Sequence, residues 1–183
     1  FQTNTTIDTL DYSGTGLNTG SKVVFATVGD KKRELCHEVP ETLKDLPGFS
    51  PARLIMPGIV AIQGSPFTSY SDVQLEMDGL SEAIRARGQL PSCPMIILCD
   101  DSEFMSAAIS NFLWATFTRS NPSHDIHGVN GYYEHKHWGC DNIIIDARSK
   151  PHQAPPLIPD AAVEQHIKRL FTDGGSLSRI QIR

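Results

Sequence analysis

The sequence lacks the signatures by which several common enzyme classes are recognised. It contains no GxGxxG between a strand and a helix, no Walker A sequence and no GxSxG nucleophile elbow. Dinucleotide binding, P-loop phosphate binding and α/β-hydrolase chemistry therefore have no support in these residues. On the residues alone, the prediction stops at a soluble α/β domain with one charged rim.

Positive charge and long apolar runs are also scarce. The 16 Lys and Arg residues are outnumbered by 21 Asp and Glu residues, which gives a net charge of −5 and a pI near 5.8. That balance argues against nucleic acid as a partner. The longest apolar runs have the length of strands, so no transmembrane segment is expected. A chain of 183 residues fits one ordinary domain.

Cysteine is too sparse for a disulfide framework. Cys36, Cys93, Cys99 and Cys140 are spread without a CxxC pair, which favours a reduced, cytoplasmic compartment. The chain begins with Phe1 and shows no secretory leader pattern. We therefore expect a piece of a longer cytoplasmic polypeptide.

The pattern of elements predicts the fold class. Residues 1–20 are rich in Thr, Asn, Gly and Ser and indicate a loop or a linker from a preceding domain. The strands predicted from apolar runs are residues 22–28, 58–63, 95–99 and 142–146. The predicted helices are residues 31–48 in two pieces, 71–87, 102–113 and 161–171, while residues 114–118 fit either helix or strand. This alternation predicts that residues 21–183 form a layered, Rossmann-like α/β domain whose largely parallel or mixed central sheet is flanked by helices.

Residues 71–87 form the best amphipathic helix of the chain. Val73, Met77, Leu80 and Ile84 recur at helical spacing and predict a buried face. Ser71 or Asp72 is the expected N-cap, and Gly88 follows the last turn as helix-ending glycines do. The second helix, over 102–113, is expected to align Phe104, Ala108 and Phe112.

Charged side chains follow two apolar runs between Met95 and Asp125. Asp100 and Asp101 end a strand, where they have two alternative roles: binding a cation or hydroxylated ligand, or capping the next helix through Asp101 or Ser102. Arg119 and Asp125 flank the turn signal Asn121-Pro122. They are expected to pair across that turn, and the alternative is that Arg119 anchors an anionic group.

One segment has the composition of a metal site. His135 and His137 lie one residue apart, which would place them on the same side of a strand, with Cys140 near enough in sequence to complete a zinc set. The spacing matches no standard zinc pattern and no second pair of ligands is present, so the segment is predicted to be a loop or interface element.

Three stretches resemble the C-terminal domain of the UbiD-type decarboxylases. They read ILCDDSEF…FLWATFTRSNPSHD, IIIDARSKP and AAVEQHIKRLF. Members of that family carry a strand ending in paired aspartates, a helix leading to Trp and Thr-Arg, a Pro-containing Asp turn, an extended Pro-rich arm and a final helix. The upstream string TIDTLDYSGTGLNTGSKVVFATVGDKK also resembles the family, but here it precedes the Thr-Arg block instead of following it. This departure suggests a subfamily with rearranged segments.

The resemblance implies what the parent protein does. It would remove or add a carboxyl group on an aromatic or α,β-unsaturated acid, using prenylated flavin mononucleotide, manganese and potassium. In the family these groups bind in a preceding domain that carries a Glu-Arg-Glu network, and no stretch of this chain matches that motif. The chain itself is therefore expected to bind no cofactor and to be catalytically silent alone.

The resemblance also implies partners and pocket residues. The family's C-terminal domain closes the pocket against the flavin-binding domain and builds a homo-oligomer, commonly through its final helix. Tyr133, His135 and His137 fall where members line the substrate mouth and are the substrate-pocket candidates. Two alternatives stay open: a non-catalytic binding or assembly module, and a small metal-dependent hydrolase built on His135, His137 and Cys140.

Overall fold

The computed structural model describes residues 2–7, 16–153, 160–172 and 174–180. The chain divides into two compact units, residues 1–153 and 154–183. The described residues form nine strands: β1 (Gln2–Thr5), β2 (Gly20–Lys22), β3 (Ser50–Met56), β4 (Ile59–Gln63), β5 (Met95–Cys99), β6 (Ile126–Val129), β7 (Tyr132–Glu134), β8 (His137–Gly139) and β9 (Asn142–Asp146). The helices described are α1 (Tyr70–Arg87), α2 (Ser102–Ala107), α3 (Ile109–Arg119), α4 (Pro122–Asp125) and α5 (Ala161–Phe171).

The first unit is built on a five-stranded mixed sheet. Its strand order is β3-β4-β5-β9-β6, in which β4, β5 and β9 run parallel and the two edge strands run antiparallel to their neighbours. Helices flank this sheet on both faces, and their apolar sides complete two hydrophobic clusters. The predicted α/β class with a mixed central sheet is confirmed.

Helix α1 covers one face of the sheet with the residues that the periodicity predicts. Val73, Met77, Leu80 and Ile84 are all buried against β4, β5 and β9 residues of the same cluster. Full burial of such side chains stabilises a fold by roughly 1.5–3 kcal/mol each. The predicted N-cap, Ser71 or Asp72, is wrong: the cap is Ser69, whose hydroxyl accepts the N–H of Asp72.

The opposite face is covered by two short helices rather than one. Ala108 has extended backbone angles (φ −156°, ψ 148°), so it ends α2 and starts α3 in a new direction. The predicted alignment of Phe104, Ala108 and Phe112 is therefore wrong: Phe112 is buried, whereas Phe104 is 41% exposed. Residues 114–118 continue α3 as helix.

The N-terminal third departs most from the predictions. Residues 23–28 are not a strand, and Val24, Phe25 and Val28 are exposed. Residues 31–48 are not helical either, apart from a 3-10 turn at Glu41–Leu43. Instead, the loop is anchored through Cys36, whose N–H donates to the carbonyl of Ser92 and whose carbonyl accepts from Gly58.

Strands β1 and β3 form in segments that the sequence predicts to be loops, because of turn residues in the first and an interrupted apolar run in the second. Gln2–Thr5, inside the stretch predicted to be a linker, pairs antiparallel with Gly20–Lys22, and the turn signals at residues 13–15 lie outside the described residues. Ser50–Met56 forms edge strand β3, which the pattern missed because Pro51 and Arg53 interrupt its apolar run.

The second unit is described chiefly by α5. Asp160 caps it, since one carboxylate oxygen accepts the N–H groups of Ala162 and Val163. The predicted helix is confirmed at the predicted bounds, whereas the Pro-rich arm at 154–159 lies outside the described residues. Among the helices described in either unit, none combines the length and apolar character needed to span a membrane.

Candidate functional site

Three parallel strands end at one edge of the sheet, where open α/β folds place their working groups. β4 ends before Gly64 and Ser65, β5 ends before Asp100, and β9 ends at Asp146. This carboxyl edge carries a cluster of charged side chains that we call the ion cluster. Its buried members are Asp125, Asp146, Arg148 and Lys150.

Arg148 is paired on both sides of its guanidinium. Nε and Nη2 donate to the two carboxylate oxygens of Asp146 at 3.0 and 2.8 Å, and Nη1 lies 2.7 Å from Glu76 and 2.8 Å from the carbonyl of Ser65. Arg148 and Asp146 are 1% and 0% exposed. Two-point bonding of this kind is the strongest form of a carboxylate–guanidinium pair. It holds the pKa of Asp146 below its usual value despite burial.

Lys150 closes the other end of the cluster. Its ammonium donates to the carbonyls of Arg119, Asp146 and Arg148 at 2.9, 3.0 and 3.1 Å, so all three of its protons are used. It also lies 3.4 Å from Asp125. The ammonium therefore joins the ends of α3 and β9.

Asp125 has the least favourable surroundings of the four. Its side chain is fully buried and accepts the backbone N–H of Asn121. Burial raises its pKa to about 6, against the opposing effect of Lys150. Asp125 therefore titrates near the physiological range, where an exposed aspartate stays ionised.

Asp100 and Arg119 form the half-buried rim of the same edge. Arg119 Nη1 lies 3.2 Å from a carboxylate oxygen of Asp100, which also accepts the N–H of Ser149 at 2.8 Å. The expected Arg119–Asp125 pairing across the turn is wrong, because Arg119 extends toward β5 and Asp125 toward Lys150. Asp101 caps α2 by accepting the N–H of Phe104.

Sequence reasoning missed Asp146, Arg148 and Lys150. Their spacing at alternate positions after an apolar strand was a usable signal, because side chains two residues apart leave a strand on the same side. Every member of the ion cluster has a charged partner within the cluster. The ion cluster consequently holds the strand ends together, and its charged groups bind one another rather than being free to bind a substrate.

A separate groove of about 1300 Å³ lies between α1 and the β6–β8 region. Its α1 wall carries both charge signs, with Asp78, Glu82 and Arg85. Residues from the other wall are Ser123, Ile126, His127, Gly128, Asn130, Gly131, Tyr133, Lys136, His137 and Trp138. The groove therefore offers carboxylates, cations, imidazoles and two aromatic rings to a ligand.

The structure brings two of the three pocket candidates to this groove. Tyr133 and His137 line it, whereas His135 does not. His135 lies in the two-residue turn between β7 and β8 with a left-handed φ of 56°. The expectation that His135 and His137 share one side of a strand is therefore wrong, since the turn breaks the alternation.

His127 is a groove residue that sequence reasoning also missed. Its Nε2 atom is buried and has no hydrogen-bond partner among the described residues. Burial lowers the pKa of His127, so its imidazole is neutral at neutral pH. The Nε2 atom of a neutral imidazole can donate or accept one hydrogen bond, depending on the tautomer.

No metal site was found in the described part of the chain. No three His, Cys, Asp or Glu side chains there are grouped so that they could hold a metal ion. His135, His137 and Cys140 do not form such a group either. The described residues thus supply no ligand set for manganese or zinc.

Comparison with known proteins places the chain among longer relatives. No family model matches it. It is 28% identical over 165 residues to a protein of Chlamydia pneumoniae that is named as one subunit of a 4-hydroxybenzoate decarboxylase, covering 87% of this chain and 26% of that protein. The resemblance to the UbiD-type decarboxylases is confirmed.

Two further matches are to an uncharacterized relative and to a solved structure. An uncharacterized protein of Chlamydia trachomatis serovar D is 31% identical over 160 residues, which is 86% of this chain and 25% of the relative. An evolved dimeric form of a UbiD-class enzyme from Pelotomaculum thermopropionicum, in complex with prFMN, matches at 14% identity and a TM-score of 0.40, over 67% of this chain and 26% of that one. The chain spans about a quarter of the curated relatives it matches.

Proposed function

We propose that this chain is the C-terminal, pocket-closing and oligomerisation domain of a cytoplasmic UbiD-type decarboxylase. Residues 1–20 would be the linker from a preceding domain and residues 21–183 the domain itself. The substrate class is an aromatic or α,β-unsaturated carboxylic acid. The chain alone would be inactive.

The observation that carries this proposal is the match to the 4-hydroxybenzoate decarboxylase protein of Chlamydia pneumoniae. It extends over 87% of this chain but only 26% of that protein, so most of the relative has no counterpart here. The ion cluster agrees with an accessory role, because each of its four buried members is paired with an opposite charge inside the cluster.

The cofactors belong to the preceding domain in this proposal. Prenylated flavin mononucleotide would supply the electron sink for decarboxylation, and manganese and potassium would bind in the same preceding domain. The described residues do not provide a metal site, so we assign none of the three groups a ligand in this chain. The partner of this chain is accordingly the flavin-binding domain of the same polypeptide.

The groove is the surface that we assign to substrate enclosure. Tyr133 is 79% exposed and lines the groove together with His137, so an opposing domain can bury both. A phenol, an imidazole and Arg85 can bind the ring and carboxylate of an aromatic acid. His135, on the turn between β7 and β8, is the one pocket candidate that does not line this groove.

The activity test uses the longer polypeptide that contains this sequence. Coexpressed with a flavin prenyltransferase, it should be coloured and should release carbon dioxide from acrylic or aromatic acids. The 183-residue chain produced alone should do neither. A colourless longer protein without decarboxylase activity would refute the proposal and favour the alternative, a non-catalytic binding or assembly module.

Two further measurements test the remaining parts. Deleting residues 160–183 should lower the mass measured by light scattering if α5 carries the homo-oligomer, and an unchanged mass would remove that role from α5. Elemental analysis of chelator-free protein separates the metal-dependent hydrolase alternative, which requires stoichiometric zinc.

A further inference from the structure

Cys36 is held against the amino ends of two central strands. Its N–H donates to the carbonyl of Ser92, which precedes β5, at 2.9 Å. Its carbonyl accepts the N–H of Gly58, which precedes β4, at 3.0 Å. Residues 23–40, all of them described, contain no helix or strand, so these two bonds position Cys36 at the end of the sheet opposite the ion cluster.

The residues just before Cys36 make further contacts with the same end of the sheet. Arg33 Nη1 donates to the carbonyl of Pro91 at 3.3 Å. The Leu35 side chain packs so closely on Gly58 that a Cβ on that glycine would lie 2.7 Å from Leu35 Cδ2. The loop that carries Cys36 therefore runs alongside the residues that lead into β5.

The side chain of Cys36 meets that of Cys93. Cys93 is fully buried in the larger hydrophobic cluster, against which the partly buried Cys36 packs. Backbones joined by a hydrogen bond like that from Cys36 to Ser92 lie about 5 Å apart, within the roughly 4.4–6.8 Å between Cα atoms that a disulfide spans. Burial, together with the charge of Cys36 and a hydrogen bond between the two side chains, raises the pKa of Cys93 to about 12. Side-chain contact and backbone spacing therefore both meet the requirements of a disulfide bond.

The other two cysteines serve as comparisons within the same chain. Cys99 is as deeply buried as Cys93 and donates to the carbonyl of Ile62, and Cys140 is partly exposed like Cys36. Burial and nearby aspartates raise the pKa of both thiols, with no contribution from another cysteine. Burial and exposure alone therefore do not set Cys36 and Cys93 apart, whereas their contact does.

We propose that Cys36 and Cys93 are a modification site, which a low-molecular-weight disulfide such as oxidised glutathione converts into an intramolecular disulfide. Cys36 reacts first, because it is partly exposed whereas Cys93 is 0% exposed. Cys93 then reacts only with its neighbour. This modification goes beyond the proposed function and does not depend on decarboxylase activity.

The conversion consists of two thiol–disulfide exchanges. The Cys36 sulfur attacks the small disulfide, whose S–S bond breaks, and the first small thiol leaves with the Cys36 proton. The Cys93 sulfur then attacks the Cys36 sulfur, and the second small thiol leaves with the Cys93 proton. Two electrons have passed from the cysteine pair to the small disulfide. The mixed disulfide carries no charge at Cys36, which removes one cause of the raised Cys93 pKa before Cys93 reacts.

The bridge changes the stability of the chain. It closes a loop that contains β3, β4 and α1, and a cross-link over such a loop restricts the unfolded chain far more than the folded one. It also fastens the loop that carries Cys36 to the amino ends of β4 and β5 covalently. We expect the bridged form to unfold at a temperature roughly 5–10 °C higher than the reduced form.

The test incubates the reduced 183-residue chain in buffers with an increasing ratio of oxidised to reduced glutathione. Remaining thiols are alkylated under denaturing conditions, and peptide mapping then gives the state of each cysteine. Wild-type protein should contain a peptide that joins Cys36 to Cys93 within one chain, with unchanged circular dichroism and the higher unfolding midpoint. Four free thiols at every ratio, or glutathione that stays on Cys36, would overturn the proposal. A bridge that involves Cys99 or Cys140 would do the same.

Three variants separate the two exchanges. Cys93→Ser should retain one glutathione on Cys36, because the first exchange proceeds and the second does not. Cys36→Ser should leave Cys93 as a free thiol. Cys140→Ser is the matched control, and it should form the bridge and gain the higher midpoint as the wild type does. A bridge or midpoint lost in Cys140→Ser would contradict the pairing, and the wild-type map decides it even where a buried Cys93 variant does not fold.

Discussion

Arg148 and Asp146 hold each other through two parallel hydrogen bonds at 3.0 and 2.8 Å, with neither side chain reaching solvent. The pair lies where β9 leaves the sheet, so the direction of the chain after this strand depends on it. Breaking a buried pair by removing one partner costs far more than the pair contributes relative to apolar residues, because the remaining charge is stranded.

Arg148→Met should therefore lower the free energy of unfolding by about 3–5 kcal/mol, measured by urea denaturation. The matched control is Arg53→Met, since Arg53 is about half exposed and lies 3.6 Å from the exposed Glu103. That substitution should cost less than about 1 kcal/mol. Equal losses of unfolding free energy in the two variants would show that the Arg148–Asp146 pair does not stabilise the fold as a buried ion pair.

Asp125 should give stability an unusual pH dependence. Its pKa is about 6 in the folded protein and near 4 when unfolded, so the native state binds more protons between these values. The free energy of unfolding should therefore fall as pH rises from 4 to 6, by up to about 3 kcal/mol from this group. Asp125→Asn should remove that part of the slope, whereas Asp101→Asn, at an exposed cap, should keep it.

Asp146 should change the free energy of unfolding in the opposite direction to Asp125, and at lower pH. Since its pKa is below the usual value, its contribution is complete above about pH 4 and is lost as pH falls further. The two carboxyls therefore change the free energy of unfolding in separate pH ranges, Asp125 between pH 4 and 6 and Asp146 below about pH 4. A wild-type curve with a single monotonic slope from pH 6 to 3 would contradict this assignment.

The N-cap of α1 offers a test of local structure. Ser69→Ala removes the hydroxyl that accepts the N–H of Asp72 and should cost about 1 kcal/mol. Ser71→Ala, inside the first turn, should change stability by less than about 0.5 kcal/mol. Chemical denaturation of the two variants distinguishes the observed cap from the one that the sequence suggested.

Two glycines should respond oppositely to alanine. A Cβ on Gly128 would lie 2.5 Å from the Cβ of Cys140 and 2.8 Å from Trp138, so Gly128→Ala should destabilise the groove wall by about 1–3 kcal/mol. A Cβ on Gly79 meets nothing within 4 Å in the middle of α1, and Gly79→Ala should stabilise by up to about 1 kcal/mol. Thermal unfolding midpoints measure both, and a stabilising Gly128→Ala would contradict the described packing.

The parts of the fold that the sequence predicts are those that local periodicity determines. The central strands β4, β5 and β9 are apolar runs closed by polar residues, and α1 has an unbroken helical period, so each is recognisable alone. Val24 and Phe25 look equally strand-like, but a strand requires a partner, and they remain exposed. Partner choice is a tertiary property that periodicity does not encode.

In the candidate site, too, the local contacts could be predicted from the sequence and the long-range contacts could not. Asp101 was recognisable as a potential cap because its partner is three residues away. The partner of Arg119 is 19 positions away at Asp100, and Lys150 lies 25 positions from Asp125, so nothing local distinguishes these pairings from the alternatives. The turn at His135 was missed because it depends on one backbone angle rather than on residue type.

The mutual dependence within the ion cluster also bears on how this chain can change over generations. Replacing one member strands the charges of the others, whereas replacing several together with apolar residues of similar volume can be neutral or favourable. The positions of Asp125, Asp146, Arg148 and Lys150 should therefore be inherited as a block. In related sequences they should be retained together or lost together.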